Sequence, residues 1–125
     1  MDIANQIDAL IKRFEKVISD LNKASTAKGL AKWMIDDIIT ALNQVQKGLA
    51  LLRMTKLIAN PAMLNGDNLK KVEEVIPKYA EKIAEYEDET NQVMIFVQMA
   101  EHLDLTNEPR PGPTGFDKFK KALES

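Results

Sequence analysis

The chain of 125 residues has no cysteine and a single histidine, His102. Disulfides and thiolate metal sites are therefore excluded, and zinc would have to rely on carboxylates. His102 has Met99 three residues before it and Gln98 four before it, so no Glu-x-x-His pair exists. Di-iron helical bundles need that pair on two helices and are excluded. No apolar run approaches the roughly 20 residues of a membrane span, so stable membrane insertion is not expected. Neither charge sign dominates. Seventeen basic and nineteen acidic residues give a net charge of -2, which offers no field to draw the chain onto nucleic acid. A glycine-rich phosphate loop, a nucleophile elbow, a calcium loop and a Ser/His/Asp set are also missing. The N-terminus shows no basic region followed by an apolar core, so a classical signal peptide is not read and a cytoplasmic location is expected. These absences leave little chemistry. The expectation is no enzyme activity, no cofactor and no metal.

What is present is heptad periodicity. From 69 to 103, positions spaced alternately three and four apart are Leu69, Val72, Ile76, Tyr79, Ile83, Tyr86, Thr90, Val93, Val97 and Ala100. Only Thr90 breaks the run of apolar, aromatic or alanine residues, so this is a helix with one long seam. A first helix over about 2–23 carries Ile3, Ile7, Leu10, Phe14, Val17 and Leu21, with Asp2 as a possible N-cap. A second, over about 27–60, carries Ile35, Ile38, Leu42, Val45, Leu49 and Leu52, with Ser25 or Thr26 available as its cap. It also holds apolar residues outside the seam, among them Trp33, Ile39, Leu51, Met54, Leu57 and Ile58, so it needs more than one neighbour. Gly48 suits a close approach of helices, whereas Gly29 reads as a frayed first turn. Asn60-Pro61 ends the second helix, and Asp67 or Asn68 is placed to cap the third at about 67–104. Pro77 lies inside that third run without disturbing its phase, which favours a kink or a near-collinear join. Residues 107–115, with three prolines and two glycines, form a linker, and 116–125 read as a short amphipathic helix.

The fold class expected is all-α. It is an elongated, antiparallel three-helix bundle (1–106) with coiled-coil-like packing, followed by the linker and the tethered C-terminal helix. The basic group Lys12, Arg13 and Lys16 and the acidic run Glu85, Glu87, Asp88 and Glu89 read as solvated faces, or the latter as a patch for a basic partner. The surface that asks for a function is 93–99, Val-Met-Ile-Phe-Val-Gln-Met, which is apolar nearly all the way round. With Val93 and Val97 facing the bundle, Met94, Ile95, Phe96 and Met99 point elsewhere. Met and Phe together make an adaptable gripping surface. Phe116, Phe119 and Leu123 of the C-terminal helix can cover it, as can a second copy of the chain or another protein. The function expected is a protein-interaction module (adaptor, chaperone or inhibitor) with those seven residues as its partner-binding set and, most simply, homodimeric. The alternative is a structural subunit of a filament, secretion apparatus or virus particle. Ferritin-like, tetratricopeptide, helix-turn-helix and EF-hand signatures are missing, and no family resemblance is drawn.

Overall fold

The computed structural model describes residues 3–60, 62 and 64–109. They are all-helical, with α1 Ile3–Ser25, α2 Lys32–Ile58 and α3 Gly66–His102. At about 1.5 Å per residue the three span roughly 35, 40 and 55 Å. In α1 the buried residues are Ile7, Leu10, Phe14, Val17, Leu21 and Ala24, an unbroken alternation of three and four. α2 buries Met34, Ile38, Leu42, Val45, Leu49 and Leu52. α1 is the helix on which the other two lean, and α2 and α3 meet each other far less than either meets α1. Direction follows from the contacts. Asp8 pairs with Lys56 while Glu15 pairs with Arg53, so residue numbers rise along α1 as they fall along α2. Ile3 and Gln6 line a groove with Ile76 and Pro77, and Val17 and Asp20 line another with Thr90 and Asn91, so α1 and α3 run the same way.

The centre of the core is Phe14, which is fully buried. Its ring stands edge-on to Tyr79 and to Tyr86 of α3, with both centroid separations 6.2 Å. On the other side is Gly48 of α2, where an added Cβ would come within 2.7 Å of the Phe14 ring. The close approach read from the sequence at Gly48 is therefore made by an aromatic ring. Thr90, the polar residue in the α3 seam, is buried and donates its hydroxyl to the Tyr86 carbonyl at 2.7 Å, so its burial leaves no group unsatisfied.

Helix ends depart from expectation. Ser25 and Thr26 do not cap α2; their hydroxyls donate back to the carbonyls of Asn22 and Lys23 and finish α1. Gly29 does not fray a helix but sits in the left-handed region at φ 86°, and α2 starts only at Lys32, behind Ala31 with no side-chain cap. Neither Asp67 nor Asn68 caps α3. Asn65 does, its side chain accepting from the Asn68 backbone N–H at 3.2 Å. Asp2 lies outside the described residues. Pro77 lies inside one continuous α3. Its position is exposed, and Glu73, whose carbonyl loses its donor to the proline ring, is exposed as well, so water is available to that carbonyl. The linker beyond 109 and the C-terminal segment 116–125 also lie outside the described residues.

Gly48→Ala tests this packing. An alanine in a helix interior ordinarily stabilises by about 1 kcal/mol relative to glycine. Here the added methyl meets a ring that cannot retreat, and a net loss of about 1–3 kcal/mol is expected in urea denaturation. Phe14→Leu in the same chain should recover part of that loss. A higher melting temperature for Gly48→Ala alone would contradict the packing.

Candidate interaction surfaces

The end of the bundle where 93–99 lies is closed by chain that the heptad pattern does not announce. After α3, Leu105 turns back, its backbone N–H donating to the Gly29 carbonyl at 2.8 Å, and its side chain joins the main core cluster. The Trp33 indole N–H donates to the Glu108 carbonyl at 2.8 Å, tying the same segment to the start of α2. The Asp104 carboxylate accepts from the hydroxyl of Thr106 at 2.6 Å and from its N–H at 3.0 Å, which holds the turn and lowers its pKa below the ordinary value. Gly29 also lies tight against the end of α3, where a Cβ would come 2.9 Å from the Ala100 carbonyl oxygen. Trp33 is thus neither a fully buried core residue nor a bare anchor. It is half-buried, with its polar edge spent on the strap.

That closure changes the reading of 93–99. Phe96 does not stand open to solvent; it is 1% exposed. Met94 and Met99 are half-buried against the main cluster, as are Val97 and Ala100, and Ile95 is half-buried. A seam count treats helices as the only available cover, whereas here the 26–31 connection and the 103–109 strap also pack over this end. Phe116, Phe119 and Leu123, the other members of the expected partner-binding set, lie outside the described residues.

The open apolar surface is elsewhere. Leu51, Met54, Leu57 and Ile58 on the last two turns of α2 are 51, 62, 73 and 37% exposed. Leu51, Met54 and Ile58 fall at i, i+3 and i+7, with Lys47 four residues earlier, so α2 carries a second seam on its outward side. The signal was in the sequence as apolar residues outside the first seam, but it did not distinguish a covered face from a bare one. At the far end, Ile39 and Leu103 are 43 and 57% exposed.

Arg13–Glu87, Glu15–Arg53 and Asp8–Lys56 pair across helices. The Arg13 guanidinium forks onto the Glu87 carboxylate, its Nε donating to Oε2 at 3.1 Å and Nη2 to Oε1. These hydrogen bonds hold Glu87 below and Arg13 above their ordinary pKa values. Lys16 pairs with Asp20 at 3.2 Å within α1. Burial first, then the charges of Glu89 and Glu85, raises the Tyr86 phenol. His102 is exposed at the last turn of α3. Among the described residues no group of three His, Asp or Glu side chains could hold a metal ion, and no helix is long and apolar enough to cross a membrane. No protein-family model, curated protein or solved structure matches the chain.

The Arg13–Glu87 pair sets a pH signature. Because the folded carboxyl titrates lower than the unfolded one, its stabilisation is present above the unfolded value, about 4.3, and is lost as pH falls through the lower folded value. Both side chains are partly solvated, so the contribution is below about 1 kcal/mol. Compared by urea denaturation, wild type and Glu87→Gln should differ by a constant amount above about pH 5.5, and the gap should shrink as pH falls below about 4.3. A gap undiminished at pH 3 would exclude charge pairing as its origin.

The strap gives a second test. Leu105→Ala should cost about 2–4 kcal/mol and shift the Trp33 emission to the red as the indole loses its cover. Unchanged emission and stability would mean the strap contributes nothing to the fold.

Proposed function

We propose that this chain is a non-enzymatic protein-interaction module, an adaptor, chaperone or inhibitor that grips another protein through an apolar helix face. The observation that supports this reading is the exposed seam of Leu51, Met54 and Ile58 with Leu57 beside it. Single exposed apolar residues need no explanation, but four within two turns of one helix form a contiguous patch of the kind that marks an interaction site. This reading centres the surface on α2 rather than on 93–99, because Met94, Ile95 and Met99 are half-buried and Phe96 is buried. A structural subunit that stacks end to end is the second reading. It draws on exposed apolar residues toward both ends, Leu57 at one and Leu103 at the other.

Met54→Asp and Leu57→Asp place charge where water already reaches. Helicity and unfolding free energy should therefore stay within about 0.5 kcal/mol of wild type. Phe96→Asp buries an unpaired charge and should unfold the bundle. In affinity purification from the native host, proteins retained by the wild-type chain should be lost with Leu57→Asp. Retention of the same set by both would remove this face from the function. Open-ended growth in light scattering over a concentration series would favour the stacking subunit.

A further inference from the structure

The outward seam of α2 has a charge pattern that names its partner. From 38 to 66 the chain carries Lys47, Arg53 and Lys56 and no acidic residue. Lys47 lies on the seam itself, one turn before Leu51, and Arg53 adjoins Met54 on the flank nearer α1. Arg53 and Lys56 reach back to Glu15 at 3.6 Å and Asp8 at 2.7 Å, but all four side chains are exposed by two-fifths or more. Such solvated pairs are held weakly and can exchange for a better-placed carboxylate. Lys47 is exposed.

Resting on the module reading above, we infer that this face binds an amphipathic helix of another protein, with apolar residues along its seam and acidic residues beside them. The i, i+3, i+7 spacing of Leu51, Met54 and Ile58 is the register in which one helix receives another. The charge argues against the other occupants. A second copy laid symmetrically across the same face would set this stretch of α2 against its equal, and since 38–66 has no acidic residue, Lys47 and Arg53 would find no carboxylate on the facing helix. The chain's own end, 116–125, has Lys118, Lys120 and Lys121 against Asp117 and Glu124, an excess of positive charge that does not match. A membrane surface calls for a broad basic field, whereas this face offers Lys47 on the seam with Arg53 and Lys56 turned toward α1, and the chain as a whole is net negative.

The test uses two synthetic helical peptides that share one leucine heptad seam, one flanked by Glu and the other by Lys. The full chain should bind the Glu-flanked peptide at least about tenfold tighter than the Lys-flanked one. Leu57→Asp should abolish that binding, and Lys47→Glu should remove or invert the preference. Equal binding of both peptides, lost with Leu57→Asp, overturns the acidic partner but leaves the module reading standing. No binding of either, with no self-association in sedimentation, overturns both. Self-association abolished by Leu57→Asp, or Leu57-dependent binding to phosphatidylserine vesicles without peptide binding, overturns this inference in favour of a second copy or a membrane.

Discussion

The bundle depends on one ring having nowhere to go. Phe14 meets Gly48 of α2 on one side and the edges of Tyr79 and Tyr86 of α3 on the other. α2 and α3 scarcely touch, so the register of each relative to the other is set through α1, and Phe14 is where both registers are read. The missing side chain at Gly48 is therefore as structural as the aromatic group opposite it. The cation of Lys82, 5.6 Å from the Tyr79 ring centre, adds a weak outer hold on the same cluster. Cross-helix ion pairs at Asp8, Arg13 and Glu15 decorate this arrangement without setting it, because each is partly solvated.

Much of this was legible in the residues. The α1 seam through Ile7, Phe14 and Leu21, the α2 seam from Ile38 to Leu52 and the close approach at Gly48 all follow from periodicity and one glycine. Residues that depend on tertiary context were not legible. Gly29 looks like any weak helical position until the strap it supports is known, and Leu105 sits beyond the last heptad among loop residues. Asn65, rather than the nearer Asp67 or Asn68, caps α3 because cap choice depends on where the chain turns, not only on which side chains could serve. Phe96 is a related case, outside the heptad seam yet 1% exposed. Periodicity shows which side of a helix needs cover, but not whether loops supply it.

The two sides of α2 show how a helix can be over-provided with apolar residues. Its inner seam is spent on α1 and the shared core. The outer seam starts polar, through Thr40 and Lys47, and becomes apolar only from Leu51 onward. A helix needed only for the fold would have no reason to change character halfway along its solvent side. The change falls toward the end of the bundle opposite the strap, where Leu51, Met54, Leu57 and Ile58 are exposed among the described residues.

The hydrogen bond from Trp33 to Glu108 joins residues 75 positions apart. Closing so long a loop is entropically costly until the intervening helices have taken up most of the slack. The strap's fastening therefore depends on the three helices already lying side by side. The lone tryptophan is thus placed to report on the fastening of that end of the bundle.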